Sequence, residues 1–332
     1  MKRIAIVGAT GNVGRIVTQK LKNKADLTLF ASKDSFNVHQ LTQDRMKNFD
    51  IYVFNTEADV SAKFIPYALQ QNAYVVDSSS HFRLDPSVPL IVGPVNSHFI
   101  HQNQKLYAHA NCLASPLSLA LNPLKIFDIE NVWVSTYQST SGAGKKAMNE
   151  CLVQTKQFLE SYNNETCLSN EPKDISTVHP LVHPLVHPLA TQFPRSIAFN
   201  VIPQVADIMD NGFTKEEEKI EKETQKILEA QFSITALAVR VPVLIGHAMS
   251  VTIQLKTLPS MEEIQKAYLN ATRVKFLGQD YKTPVEIEGS DDLFIGRARL
   301  NHKGLHLWLC SDNLHRGAAT DTVEIVEKII AL

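Results

Sequence analysis

Short apolar runs alternate with amphipathic stretches over the first third of the chain. The runs that predict strands are Arg3–Val7, Leu27–Phe30, Ile51–Asn55 and Tyr74–Asp77. Helical spacing recurs at Val13, Ile16, Val17 and Leu21, and again over Ser61–Gln71. Strands that alternate with helices in this way predict a doubly wound parallel sheet, and thus the α/β fold class.

Strands and helices are also predicted beyond residue 112. The predicted strands are Val132–Tyr137, Ala236–Ile245, Ser250–Leu255 and Gly304–Cys310. Four helices are predicted here. The first passes through Met148, Leu152 and Phe158, and the second runs from the capping box of Thr214 and Glu217 to about Glu229. The third begins at Ser260 with Glu263, and the last runs from Gly317 to Ile330.

A glycine-rich turn, Gly8-Ala9-Thr10-Gly11-Asn12-Val13-Gly14, follows directly on the first predicted strand. Its glycines let the backbone approach a pyrophosphate at a helix N-terminus, so the turn predicts a dinucleotide site, although its spacing is GxxGxxG rather than GxGxxG. The adenosine ribose is expected at the turn after the second strand. Asp34 lies about twenty residues after Gly14, which favours NAD, whereas Lys33 and the serines beside it suit the 2′-phosphate of NADP. The residues leave this choice open.

Cys112 is the candidate nucleophile. Ser115 is a good N-cap and Pro116 suits the first helical position, which puts Cys112 just outside a helix N-terminus. The partial positive charge of such a terminus favours the thiolate over the thiol. The alternative is a small buried cysteine of the core.

Further charged groups are candidates for binding a ligand. Arg83 suits an anion clamp or a surface ion pair, and Glu216 and Lys219 share one helix face. Arg240 and His247 are seven apart, so an ideal strand points them to opposite faces unless Pro242 and Gly246 bend it.

A tandem His-Pro-Leu-Val repeat covers residues 179–189. Histidines four apart on one helix face suit a metal ion, but the proline after each one excludes that helix, so an extended loop without metal is expected.

Composition narrows the class of protein. The 332 residues allow two domains, and a formal net charge of −1 gives no reason to expect nucleic acid or an anionic membrane as partner. No apolar run is long enough to span a bilayer. The four cysteines lack a CxxC pattern, so we expect no disulfide, no zinc and a cytoplasmic location.

Taken together, the motifs resemble the aspartate-semialdehyde dehydrogenase family over nearly the whole chain. The matching blocks are GATGNVG, DSSSHFRLDPSVPLIVGPVN, the Asn111-Cys112 pair, VSTYQSTSGAGKKAM, IAFNVIPQVADIMDNGFTKEEEKIEKETQKIL, VRVPVLIGH and SDNLHRGAA. Leu113 and Ala114 depart from the Ser/Thr-Thr that commonly follows Asn-Cys in the family.

The resemblance implies a covalent route from L-aspartyl 4-phosphate to aspartate semialdehyde. Cys112 would be the nucleophile, His247 would handle the proton, and Gln138 would hold the substrate or orient the thioester. Such an enzyme feeds lysine, threonine, methionine and diaminopimelate synthesis.

It also implies how each charged group of the substrate is bound. Arg240 would pair with the α-carboxylate, and Glu216 would meet the amino group. Phosphate would be held by Arg83, Lys219 and Asn111.

The cofactor implied is NADP, with NAD kept open by Asp34. The candidate cofactor residues are Gly8, Thr10, Gly11, Asn12, Val13, Ser32, Asp34, Ser35, Ser141, Gly142 and Asn313. A Rossmann-type NADP-binding domain would comprise residues 1–112 and 313–332, and an α+β catalytic and dimerisation domain with a mixed sheet would comprise residues 113–312. A homodimer is implied.

Two rival functions remain at this stage. Reduction of another acyl phosphate, such as N-acetylglutamyl phosphate, is disfavoured by Glu216, because an acetylated amine does not need a carboxylate. A catalytically silent paralogue is disfavoured by the joint presence of Cys112, Gln138, Arg240 and His247.

Overall fold

The computed structural model describes residues 1–161 and 191–332, and the His-Pro-Leu-Val repeat lies outside the described residues. The strands are β1 (Arg3–Val7), β2 (Asp26–Ala31), β3 (His39–Gln40), β4 (Ile51–Phe54), β5 (Tyr74–Asp77), β6 (Leu90–Ile91), β7 (Leu106–His109), β8 (Ile129–Tyr137), β9 (Ser233–Leu237), β10 (His247–Leu255), β11 (Val274–Phe276), β12 (Leu293–Asn301) and β13 (Gly304–Ser311). The helices are α1 (Asn12–Leu21), α2 (Ala58–Gln70), α3 (Gly93–Asn96), α4 (Ala114–Leu121), α5 (Gly144–Ser161), α6 (Lys215–Leu228), α7 (Met261–Tyr268) and α8 (Thr320–Ile330). Short 3₁₀ turns cover Gln43–Arg45, Ser97–Phe99, Asn122–Phe127, Thr140–Ala143 and Pro284–Ile287.

The first sheet is parallel throughout, in the order β3-β2-β1-β4-β5-β7-β6. Its strands β1, β2, β4 and β5 match the predicted apolar runs to within a residue, whereas β3, β6 and β7 were not predicted. The C-terminal helix α8 packs beside α1 on one face of this sheet, where Val323, Val326 and Ile329 join a buried cluster with Ile4 and Val17. The C-terminal helix therefore packs into the same hydrophobic core as β1 and α1.

The second sheet is mixed, in the order β11-β12-β13-β10-β8-β9. Its β12, β13, β10 and β8 pair antiparallel, whereas β11 with β12 and β8 with β9 are parallel. The largest buried cluster joins residues of both sheets through α4 and α6, as Ala5, Leu117, Ile220 and Val251 illustrate. The doubly wound sheet and the additional mixed sheet confirm the predicted fold class.

The strand predicted over Ala236–Ile245 is wrong for most of its length, because β9 starts earlier, at Ser233, and only Ala236 and Leu237 belong to it. β9 ends at Leu237, and the expected continuation to Ile245 is irregular, with single bridges from Arg240 to Gln138 and Ile202. Side chains take the next two backbone N–H groups: Glu217 Oε1 accepts from Ala238 at 2.8 Å and Thr136 Oγ1 from Val239 at 3.0 Å. Amides bonded to side chains cannot continue a strand ladder.

Two predicted helix starts are also wrong. α4 begins at Ala114 with Leu113 as its N-cap residue, so Ser115 lies inside the helix rather than at its cap. The final helix begins at Thr320 rather than Gly317, because the wide turn His315–Ala319 is broken at Gly317, where φ is +104°. Both capping boxes, at Thr214 and Ser260, are confirmed.

Across residues 1–161 and 191–332, no helix has the length and apolarity needed to cross a membrane.

Candidate active site

A cavity of about 500 Å³ lies where the carboxyl ends of the first sheet meet the turns of the second. Ligands collect at this end of parallel sheets. The predicted site residues among its walls are Val13, Arg83, Asn111, Cys112, Gln138, Ser141, Gly142, Glu216, Lys219, Arg240 and Asn313. Residues predicted from seven separate blocks of sequence thus meet at one place.

The loop before α4 carries Cys112, as predicted, but the side chain that bonds the backbone at the start of the helix belongs to Asn111 rather than Ser115. The Asn111 side-chain oxygen accepts from the backbone N–H of Leu113 at 2.9 Å and of Ala114 at 3.4 Å. Its Nδ2 donates to Glu216 Oε1 at 3.0 Å, which leaves one amide hydrogen for a ligand. The Asn-Cys pair is therefore one unit in which the amide fixes the backbone beside the thiol.

The expected low pKa of Cys112 is wrong for the free protein. Burial, with the negative charge of Glu216, raises the pKa of the thiol to about 12, although Arg83 and Arg240 act in the opposite direction. The helix terminus does not offset the loss of solvation. Cys112 consequently rests as a thiol.

Helix α6 supplies three charged groups from one face, at residues 216, 219 and 223. Glu216 Oε2 lies 3.6 Å from Lys219 Nζ, and both line the cavity. Glu223 is almost fully buried, and its carboxylate lies 3.2 Å from the Arg83 guanidinium and accepts from Asn111 N at 2.6 Å. Sequence reasoning missed Glu223, although its place two helical turns after Glu216 was a usable signal.

Arg83 is buried, so the surface ion pair is excluded. Its Nη2 donates to Ser78 O at 2.7 Å. In the part of the chain that the structure describes, its buried Nε has no partner. Arg83 thus has a fixed guanidinium with one donor still available beside the cavity.

Arg240 and His247 converge as predicted from Pro242 and Gly246. A Cβ placed on Gly142 would lie 3.1 Å from both Arg240 Nη1 and His247 Nε2, so both groups face the same glycine. Gly246 adopts φ +90°, and the turn that it makes brings the two side chains to one side. Arg240 Nη1 donates to Ser139 O at 2.6 Å.

The tautomer of His247 follows from a contact that sequence reasoning did not foresee. The backbone N–H of Ser139 donates to His247 Nδ1 at 3.0 Å, so the neutral ring carries its proton on Nε2. The buried Nε2 of His247 and the Nε2 of Gln138 have no partner among the described residues. Burial, and then the Arg240 charge, lower the pKa of His247 to about 3. Two neutral N–H donors are therefore available, Gln138 Nε2 on a residue of the cavity wall and His247 Nε2 beside Gly142 of the same wall.

The glycine turn fits a dinucleotide. Gly8 has φ +80°, and a Cβ there would lie 2.2 Å from Asn55 O, so only glycine permits this close backbone approach. Asn55 Nδ2, in the cavity wall, is buried without a partner among residues 1–161 and 191–332. Thr10, Gly11 and Asn12 lead from this turn to Val13 in the cavity wall.

On the far side, Ser141 Oγ donates to Asn313 Oδ1 at 3.0 Å, and Gly142 stands next to Ser141 in the same wall. The two predicted halves of the cofactor site thus face one cavity.

The ribose turn contains a cation that sequence reasoning missed. Asp34 Oδ1 forms an ion pair with Arg45 and accepts from Gln40 N at 2.9 Å. These contacts lower the pKa of Asp34, with the Gln40 hydrogen bond as the largest cause. Ser32 and Ser35 lie on the same exposed turn. Arg45 is distant in sequence from the turn, so no local motif pointed to it.

Among the residues that the structure describes, no group of three or more His, Cys, Asp or Glu side chains could hold a metal ion.

Comparisons with known proteins agree with this geometry. Residues 3–103 match the family described as semialdehyde dehydrogenase, NAD binding domain, and residues 121–316 match semialdehyde dehydrogenase, dimerisation domain. The first match shows that the cofactor class is a nicotinamide dinucleotide, and the second supports the expected homodimer.

The chain is similar to an aspartate-semialdehyde dehydrogenase of Rickettsia conorii, with 34% identity over 98% of this chain and 97% of the relative. A crystal structure of aspartate semialdehyde dehydrogenase II from Vibrio cholerae aligns with a TM-score of 0.86 and 32% identity, covering 100% of this chain and 99% of that one. The same enzyme complexed with ASA aligns with a TM-score of 0.86 and 32% identity, over 100% and 98% of the two chains. The chain belongs to the aspartate-semialdehyde dehydrogenase family.

Proposed function

We propose that this protein reduces L-aspartyl 4-phosphate to L-aspartate 4-semialdehyde with NADPH, in the synthesis of lysine, threonine, methionine and diaminopimelate. The observation that carries the proposal is the charge pattern around Cys112. Three cations and a carboxylate, Arg83, Lys219, Arg240 and Glu216, line the cavity that contains the thiol. They complement a substrate with a phosphate, a carboxylate and an ammonium group.

The anionic groups of the substrate bind at two places. Arg240 pairs with the α-carboxylate, and Glu216 meets the amino group. Arg83, Lys219 and the remaining amide hydrogen of Asn111 bind the phosphate. This holds the acyl carbon beside Cys112 Sγ and removes orientational entropy from the barrier.

Acyl transfer follows from this arrangement. The Cys112 sulfur attacks the acyl carbon, the bond between that carbon and the phosphate oxygen breaks, and a thioester remains. Thiol and acyl phosphate give thioester and hydrogen phosphate, so the thiol proton leaves with the phosphate. His247 and Gln138 donate hydrogen bonds from Nε2 to the carbonyl oxygen as its negative charge develops.

The bound nicotinamide cofactor supplies the hydride that reduces the thioester carbonyl. His247 stays neutral and donates a hydrogen bond from Nε2 to the oxygen of the reduced carbon until the carbon–sulfur bond breaks. The carbonyl re-forms, the aldehyde leaves, and the departing thiolate takes a new proton from solvent, because the original thiol proton left with the phosphate. Each chemical role in the cycle is thus assigned to a residue that lines the cavity or, for His247, that lies beside Gly142 in its wall.

The NADP preference is supported by positive charge at the ribose turn. Arg45 pairs with Asp34 and offsets its charge, and Lys33 stands beside it. The proposed cofactor residues are those expected above. The proposed domains are residues 1–112 with 313–332 and residues 113–312. The cytoplasmic location is supported by the free thiols of Cys112, Cys151 and Cys310 among the described residues.

The test is the reverse reaction: reduction of NADP or NAD by aspartate semialdehyde, dependent on added phosphate. The wild-type protein should be active and Cys112→Ala inactive, while Cys151→Ala, which removes a buried thiol in α5, should retain activity. The faster cofactor identifies the preference. An inert wild-type protein with both cofactors, or full activity of Cys112→Ala, would refute the proposal.

A further inference from the structure

His109, the last residue of β7, has a hydrogen-bonding direction fixed by its neighbour. The side chain is 3% exposed, and its Nδ1 lies 2.8 Å from Ala110 O. A carbonyl oxygen only accepts, so Nδ1 must carry the proton. In the neutral ring Nε2 is then a lone pair, the opposite arrangement to His247.

This lone pair is unused within the protein. Across the described residues, the buried Nε2 of His109 has no hydrogen-bond partner. A buried acceptor without a partner costs free energy, and such groups commonly await a ligand or water. Because His109 lines the same cavity as Cys112, a bound ligand can supply the missing donor.

The surroundings keep this ring neutral. Burial, and then the positive charge of Arg83, lower the pKa of His109 to about 3, although the hydrogen bond to Ala110 and the charge of Asp77 act in the opposite direction. A neutral acceptor is therefore present throughout the physiological pH range.

The side chains proposed to bind the phosphate are N–H donors, and the buried carboxylate beside them is occupied. Arg83, Lys219 and Asn111 offer N–H groups, which suit deprotonated phosphate oxygens. The carboxylate of Glu223 is already engaged by Arg83 and by the Asn111 backbone. Hydrogen phosphate carries one O–H, and this proton needs an acceptor that does not repel the dianion. His109 Nε2 meets that need.

We propose that His109 is a specificity-determining residue of the phosphate subsite, whose Nε2 accepts a hydrogen bond from the P–O–H group of hydrogen phosphate. The inference rests on the proposed function. The leaving phosphate gains its proton as the thioester forms, so His109 recognises the product of acyl transfer and, in the reverse direction, the protonated phosphate that attacks the thioester.

The experiment compares two anions in the reverse reaction. Hydrogen phosphate has an O–H to donate, whereas sulfate is a dianion of similar shape without one. His109→Leu removes the acceptor, His109→Gln retains a polar group at the Nε2 position, and His98→Leu on the surface is the matched control. The KM for phosphate and the inhibition constant of sulfate against phosphate are measured for each.

His109→Leu should raise the KM for phosphate about tenfold. The inhibition constant of sulfate and the KM for the nucleotide should stay within about twofold, or sulfate should bind more tightly. His109→Gln should recover part of the phosphate affinity, and His98→Leu should resemble the wild type. An equal effect on both anions, or an unchanged phosphate KM, would overturn the inference.

The two proposals fail separately. If the wild-type protein shows no phosphate-dependent activity, the proposed function fails. Protection of Cys112 from alkylation by phosphate and by sulfate then tests His109 alone. Loss of phosphate protection without loss of sulfate protection in His109→Leu supports the inference, and equal protection by phosphate in both proteins contradicts it.

Discussion

Gly317 holds the backbone of Cys112 in place, and Gly317→Ala should displace it. A Cβ at residue 317 would lie 2.7 Å from Cys112 O and 2.8 Å from Cys112 Cα. Ordinary contacts between such atoms need about 3.5 Å, so the two segments must separate by about 0.7 Å. Backbone atoms form this contact, so no side-chain rotation can relieve it.

Two costs follow from this change. The positive φ of +104° is unfavourable for alanine and should lower the free energy of unfolding by about 1–2 kcal/mol. A misplacement of about 1 Å can reduce catalysis about a hundredfold, so a shift of 0.7 Å should reduce kcat/KM by roughly ten- to a hundredfold. The loss of activity should exceed what the loss of stability explains.

The control is Gly212→Ala. Gly212 has φ +83°, but nothing lies within 4 Å of a Cβ placed there, so this variant carries only the backbone cost. Reverse-reaction kinetics and urea unfolding are measured on both variants. Equal kcat/KM values for the two alanine variants would refute the idea that the residue 317 contact positions the nucleophile.

Three further changes test other parts of the site. Asp34→Asn should release Arg45 and raise the NADP-to-NAD ratio of kcat/KM about tenfold, and a lower ratio in reverse-reaction kinetics would contradict this. The rate of alkylation of Cys112 by iodoacetamide, measured on the peptide that contains it, should rise about tenfold per pH unit from pH 7 to 9. Burial holds the thiol pKa near 12, and only the thiolate reacts. A plateau of the rate below pH 8 would show a low pKa instead. Glu223→Gln leaves the buried Arg83 without its counter-charge, so it should lower the free energy of urea unfolding by about 3–5 kcal/mol and raise the KM for phosphate. A change under 1 kcal/mol would show that the stability of the fold does not depend on this ion pair.

Local patterns predicted the fold well where local energies decide it. β1 and β5 have the predicted limits, because three or four consecutive buried residues between polar turns leave little freedom of register. The capping boxes at Thr214 and Ser260 formed because all their partners lie within three residues. Such features need no knowledge of the distant chain.

The wrong predictions each involve a partner far along the chain. The strand expected to reach Ile245 loses its amides to Thr136 and Glu217, and the cap expected at Ser115 is replaced by Asn111, itself held by Glu216. No propensity scale contains these contacts.

The contrast between local and distant contacts also explains which properties of the active site the sequence predicted. The resemblance placed Cys112 and Arg240 in the right cavity, but the thiol pKa depends on burial, which only the folded chain defines. Arg45, Glu223 and His109 were missed because their importance comes from Asp34, Arg83 and the cavity rather than from neighbouring residues. The donor role of His247 likewise depends on the backbone amide of Ser139, just beyond the end of the neighbouring strand β8.

Because three charged residues of α6 lie on one face of the helix, the number of residues between them is constrained. Residues 216, 219 and 223 lie within about 60° of one another around the helix axis, at 100° per residue. One inserted residue between 216 and 223 would rotate Glu223 by about 100° and carry it away from Arg83, while Glu216 stayed at the cavity. Point substitutions at the exposed Lys222 or the half-buried Glu218 and Glu221 leave that alignment intact. Codon insertions and deletions should therefore be tolerated far less in this short interval than single-residue replacements are.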